Sequence, residues 1–345
     1  MKYAHIFANT TERDNYVFSN NYVEPFVGVV RQDEEDSLTA YNRFYDTDIT
    51  DYLSETPFTI GILSAGNFTV RSNNAAWSKT VEYQKNDGNW TSINITTAAT
   101  SLSVVPGDKI SFRGDNDTYA EWNSNGVYQC TFGSYESGTT CRFIAYGNVM
   151  SLISKSSFST LSQFTSPGVF GYMFSCAYYL EDASGLILPS TNLTNLCYNH
   201  MFNATGIKYP PKLLPAKRVA QSAYGGMFTL SSNLIEPPEI QALSVLSNGC
   251  SEMFYNCSSL KKAPSLIAQN VGTNGYWKMF NGCSNIDKIV SFISNPNTDG
   301  NTTDWLNGVS STGLFFKLSN VDTSLFPRDA NGIPAGWEFV NMPSN

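Results

Sequence analysis

The sequence predicts a mixed, mainly β protein: an N-terminal β-sandwich followed by a short solenoid of repeated strand-plus-helix units. Three observations carry that expectation. Short apolar–polar alternations separated by Gly, Asn and Asp fill one third of the chain. A Met-Phe pair recurs at a near-constant interval further on. Charged residues are 14% of the chain, against roughly 25% in an average soluble protein, so Asn, Ser, Thr and Gly carry the polar share. That balance suits strands and turns better than long charged helices.

At 345 residues the chain has room for two or three cores. A net charge of −8 leaves no electrostatic footprint for phosphate backbones, so nucleic acid is not an expected partner. The start, "MKYAHIFANT", has no signal-peptide pattern, and no apolar run is long enough to span a bilayer. The expectation is a protein made in a cytoplasm without membrane insertion.

Taken in order, residues 1–52 are too few for an independent core, and their acidic run "RQDEEDSLTAYNR" reads as a solvated turn. Residues 53–148 contain the alternating runs "PFTIGI", "NFTVR", "KTVEYQ", "NWTSINI", "SLSVV", "DKISFR" and "GVYQCTF", the pattern of a β-sandwich. Within them "KNDGNW" marks a hairpin, with Asp87-Gly88 supplying the positive φ angles of a tight turn. "GDNDTYAEW" gathers Asp115, Asp117 and Glu121 as oxygen ligands for calcium, but it lacks the Gly and terminal Glu of the twelve-residue calcium loop, and a turn is the favoured reading.

Residues 149–292 are the repeats. Met-Phe stands at Met173-Phe174, Met201-Phe202, Met227-Phe228, Met253-Phe254 and Met279-Phe280, at steps of 28, 26, 26 and 26 residues. Three before Met come Phe170, Tyr198, Tyr224, Cys250 and Tyr276; seven after come Leu180, Lys208, Leu234, Leu260 and Ile286, with Ile207 restoring the second by a one-residue slip. Apolar residues at i, i+4 and i+8, such as Val219, Ala223 and Met227, predict one face of a short helix. A polar turn and a brief extended piece follow, kept from helix by Pro210, Pro211, Pro237, Pro238 and Pro264. No such unit buries its own apolar side, so neighbours must stack into one core, and the ten Met and Phe residues are expected to be its interior ladders. A period of about 26 with strand and helix lies in the leucine-rich-repeat range.

Chemical motifs are sparse. His200 sits in a slot shared with Gly226, Glu252 and Lys278, which reads as solvent-facing. Cys197 and His200 have Cys-x-x-His spacing with no second pair nearby to complete a zinc site. The seven cysteines read as free, buried thiols, while Cys130 and Cys141, flanking "TFGSYESGTT", could face each other across a hairpin as one disulfide. No spacing places two carboxylates in a shared cleft. Without a leader, the Asn-x-Ser/Thr sequons, as at Asn89 and Asn203, reflect composition. No catalytic residue, cofactor or metal is expected.

The strings "YNHMFNATGIKYPPKLLPA", "CSEMFYNCSSLKKAPSLIA" and "YWKMFNGCSNI" resemble the leucine-rich repeats of bacterial BspA-type surface proteins, and most of all the version in virion proteins of crAss-like phages that infect Bacteroides. Residues 305–339, "WLNGVSSTGLFFK" through "NGIPAGWEF", resemble the segment that closes that array, so 293–345 is expected to be a C-terminal cap. The pattern's Cys is lost at Ala204 and Leu230. "NNYVEPFVGVV" resembles a segment shared by phage fibre and decoration proteins, which implies virion docking through Tyr22, Glu24, Pro25 and Phe26. The resemblance implies a non-enzymatic head fibre or decoration subunit on the virion surface, bound to capsid or tail proteins through residues 1–52 and displaying its repeats to host-surface or mucin glycans. Burial of the short N-terminal segment implies a homotrimer or homodimer. Two other readings stay open: a tail fibre that binds a receptor or cleaves polysaccharide, and a bacterial adhesin.

Overall fold

A computed structural model of the chain describes residues 54–124, 126–328 and 332–342, together with the backbone of two strands near the amino end, 4–7 and 27–30. These two strands, β1 (Ala4–Phe7) and β2 (Val27–Val30), pair in parallel within a compact unit, Met1–Thr56. The docking residues expected from sequence, Tyr22, Glu24, Pro25 and Phe26, lie outside the described residues. A second unit spans Pro57–Asn345.

The second unit is mainly β. Among the described residues, helix is confined to an end at Ser54 and Glu55 and to short 3-10 turns such as Tyr135–Ser137 and Val149–Leu152. Its first part contains β3 (Thr59–Ile62), β4 (Gly66–Ser72), β5 (Lys79–Lys85), β6 (Thr91–Ile95), β7 (Thr100–Val104), β8 (Lys109–Gly114), β9 (Ala120–Asn123), β10 (Gly126–Phe132) and β11 (Phe143–Asn148). One sheet runs β7-β4-β10-β9. The alternation read from the sequence has its physical outlet here: Ile60, Phe68, Val70, Ile110, Phe112 and Phe132 are fully buried. Their rings meet edge-on, Phe58 with Phe132 at 5.5 Å and Phe68 with Phe143 at 5.2 Å. The β5–β6 hairpin turns one residue earlier than expected. Positive φ falls on Asn86 (52°) and Asp87 (58°), and the Gly88 amide donates to the Lys85 carbonyl, closing a two-residue turn.

The second sheet crosses the expected boundary at residue 148. Its order is β12-β11-β3-β8-β5-β6, where β12 (Leu180–Ile187) pairs in parallel with β11 although it belongs to the first Met-Phe repeat. Phe58 of the sheets lies edge-on against Phe174 of the repeats at 5.8 Å, and both regions share one continuous core.

The remainder winds as a β-solenoid of about 5 turns. Short parallel pairs line one side: β13 (Leu213–Leu214) with β15 (Glu239–Ile240), and β14 (Arg218–Val219) with β16 (Ser244–Val245) and β17 (Asn270–Val271). β18 (Lys288–Val290), β19 (Thr312–Leu318) and β20 (Gly336–Met342) complete it.

The short helices expected in each unit are absent from the described residues, and linked turns stand in their place. In the rungs 168–176, 196–204, 222–230, 248–256, 274–282 and 300–308, every fourth residue has positive φ, as at Ser222 (54°), Gly226 (59°) and Leu230 (62°). Amides alternate in use. Those of Ala223, Gly225, Met227 and Thr229 close turns onto the carbonyls three residues back, while those of Ser222, Tyr224, Gly226, Phe228 and Leu230 donate to the next rung. An α-helix turns 100° per residue, so i, i+4, i+8 drifts around its face; a chain of four-residue turns keeps that set in line. The interval of four is the one the sequence shows, and a chain of turns carries it in place of a helix.

All ten Met and Phe residues of the repeats are fully buried. The Phe rings form one stack, with centroids 5.3, 5.3, 5.5 and 5.5 Å apart and planes within 10° from Phe174 to Phe280. Ile207 fills the buried slot and Lys208 points out.

The ends of the ladder differ. Carbonyls of the first rung, at Val169, Met173 and Cys176, accept from the amides of Tyr119, Phe132 and Tyr135 in the two-sheet region. At the other end the linked turns continue into the segment expected as a cap: Trp305 replaces Met, stacking on Tyr276 at 6.2 Å. After Gly308 no described rung follows. Val321, Phe326 and Ile333 cover the core there, and the buried Lys317 ammonium ties the turn by donating to the carbonyls of Leu318 and Val321.

Candidate functional site

Within each rung, side chains go in pairs. Two point inward and the next two outward, so the turns present outward columns immediately before and after the Met-Phe pair. The column before Met consists of Tyr172, His200, Gly226, Glu252, Lys278 and Asp304, all at positive φ. The slot faces out, as the sequence implied, but His200 is not freely solvated. Its ring stacks on Tyr172 at 4.9 Å and 6°, its Nδ1 lies 2.7 Å from Asn199 Oδ1, and burial pulls its pKa down. The opposite side of the ring covers Gly226, where an added Cβ would lie 2.5 Å from it. Tyr172 in turn meets Trp122 at 5.9 Å, so the stack runs from the sheets onto the second rung. Farther along, the Lys278 ammonium sits 4.3 Å from the Trp277 ring centroid.

The inner slot four after Met has a definite chemistry. Ser231 Oγ donates to the Phe202 carbonyl, Cys257 Sγ to Phe228 and Cys283 Sγ to Phe254, each reaching back one rung. Thr205 joins through its hydroxyl, 2.9 Å from Ser231 Oγ. The residues in place of the pattern's Cys are therefore Thr205 and Ser231; Ala204 and Leu230, named from sequence, stand one position earlier at positive φ. From the second rung to the fifth the slot holds a small donor, which Thr, Ser and Cys all supply, whereas the first has the buried Ala177 there.

All seven cysteines are free thiols, Cys130 and Cys141 included. Burial pushes the thiols of Cys130 and Cys283 up to about 12 and that of Cys141 to about 11, with Cys197, Cys250 and Cys257 raised further still. Such groups stay protonated at neutral pH and are poor nucleophiles. Among the described residues no three His, Cys, Asp or Glu converge as metal ligands. Asp115 of the calcium candidate instead accepts from the Lys155 amide at 3.1 Å and pairs with its ammonium at 3.3 Å.

One surface feature escaped the sequence reading. Tyr135 and Tyr178 are 53% and 50% exposed, their rings 5.5 Å apart and inclined by 31°, with Tyr179 alongside at 6.2 Å from Tyr135. No spacing links residues 135 and 178. A signal nevertheless existed: five after Met, the later units have Gly206, Ser232, Ser258 and Ser284, and the first has Tyr178.

Comparison with protein-family models, curated proteins and solved structures gave no match to this chain.

Proposed function

We propose that the chain is a non-enzymatic virion structural protein, a head fibre or decoration subunit whose solenoid displays an adhesive surface to host or mucin glycans. The observation that carries the display part is the division of labour along the rungs. Inward slots hold a narrow set of residues engaged in packing or carbonyl capping, whereas outward columns vary from Tyr to Gly to Lys. The resemblance of the repeats and of "NNYVEPFVGVV" to phage proteins supports the virion part. In this reading the two sheets are a β-sandwich, and the repeat is a BspA-type leucine-rich repeat in which linked turns replace the helix. Residues 1–52 dock to capsid or tail proteins, and a trimer or dimer multiplies weak contacts.

Mass spectrometry of purified particles is expected to detect the chain; intact virions lacking it would overturn the assignment. Light scattering is expected to give a mass two or three times that of one chain.

A further inference from the structure

Large exposed aromatic rings are rare among the described residues. Among the described residues with strongly exposed large apolar side chains, the only aromatic ones are Tyr135 and Tyr178, and they touch each other. They come from different regions, Tyr135 from a 3-10 turn after β10 and Tyr178 from the exit of the first rung. The contact is built in, because the Tyr135 amide donates to the Cys176 carbonyl at 2.9 Å and so seats the turn against that rung. Core packing does not explain Tyr178, since the equivalent slots of the later rungs hold Gly or Ser. Beyond their contact with each other and with Tyr179, both rings leave about half of their surface in water.

The surroundings are polar and acidic. Glu136 is the next residue in the same 3-10 turn as Tyr135 and is exposed, and Ser175 Oγ lies 3.8 Å from the Cys176 sulfur at the end of the first rung. Flat amphipathic rings beside a carboxylate and hydroxyl groups match a sugar ring, which has an apolar C–H face and a rim of hydroxyl donors and acceptors. A proline-rich peptide needs a slot between aromatic walls, and here the two rings close on each other.

We propose that Tyr135, Tyr178 and Glu136 form a carbohydrate subsite, at which a pyranose lays its C–H face on the tyrosine rings and gives hydroxyl hydrogen bonds to the Glu136 carboxylate. The proposal rests on the adhesive part of the function above and is independent of the virion part. It places the contact at the junction of sheets and solenoid instead of along the repeat columns.

The test uses the full-length protein and saturation-transfer NMR against cellotetraose, chitotriose, N-acetyllactosamine and decaproline. At least one oligosaccharide is expected to bind the unaltered protein. Y135A and Y178A should each weaken it about tenfold, the scale of about one stacked ring. Y178F should retain most binding, and E136Q should weaken it without removing the ring contact. Y255A, on an outward column of the fourth rung, should leave it unchanged; thermal melts confirm that each variant folds. Sugar binding that survives Y135A and Y178A would overturn the subsite while leaving the adhesive function standing. Binding of none of the sugars, or of decaproline alone through the tyrosines, would overturn the subsite and count against the adhesive function.

Discussion

The two-sheet region and the turn ladder pair their backbone amides with different periods. In the sheets, successive side chains alternate between core and surface, and positive φ is largely left to turns such as Asn86–Asp87. In the ladder, side chains alternate two by two, and one residue in four is held at positive φ even when it is Leu, His or Lys. An L-residue there costs roughly 1–2 kcal/mol. The ladder accepts that cost six rungs over because it aligns the Met, Phe and Tyr columns and turns every second amide toward the next rung. Regularity between units can therefore outweigh local preference inside each one.

The largest expected effect sharpens this contrast through pH. Raised thiol pKa values favour the neutral form in the folded chain, so the stabilisation is complete below the unfolded value of about 8.5 and is lost as pH rises toward the folded values. Each protected thiol contributes about 1.4 kcal/mol of loss per pH unit above that point. Urea midpoints are expected to fall steeply from pH 8 to pH 10, and C130A/C141A in the sheets should leave most of the slope in place. A slope abolished by that double variant would put the sensitivity in the wrong region.

Next comes Phe228→Ala, which removes one ring from the middle of a stack with neighbours on both sides. It should cost about 3–5 kcal/mol in chemical denaturation. Ser231→Ala removes the donor to the Phe202 carbonyl and should cost about 1–3 kcal/mol, whereas Cys257→Ser keeps a donor and should change the urea midpoint little. The smallest effect has opposite signs in the two regions. Leu230→Gly relieves an exposed αL residue and should raise stability by up to about 1 kcal/mol, while Ser101→Gly in a strand should lower it by about 0.5–1 kcal/mol. Equal signs in thermal melts would break the comparison.

Much of this was legible in the sequence because interior columns recur. Met173 to Phe280, the Tyr column and the slip at Ile207 need only counting. The apolar columns do not distinguish linked turns from a helix, since over three positions a period of four and one of 3.6 select the same residues. The distinguishing mark was in the outward columns, where Asn248, Asn256, Asn274, Gly226, Gly282, Gly300 and Gly308 are residue types that tolerate positive φ. The link between β11 and β12 was hidden for another reason: parallel pairing of distant segments leaves no local trace. The Tyr135–Tyr178 contact is of the same kind and was marked only by a break in the Ser column.

The unequal ends of the ladder have a mechanical meaning. At its first rung the ladder is bonded to a sheet that spreads load over many strands, whereas at its last rung each unit is held mainly by the one before it. A pull on the carboxyl end should unzip the rungs singly, each paying out roughly 90 Å of chain. The expected force–extension trace is a staircase of such steps followed by one larger rupture, and a single all-or-none rupture would show that the rungs fail together.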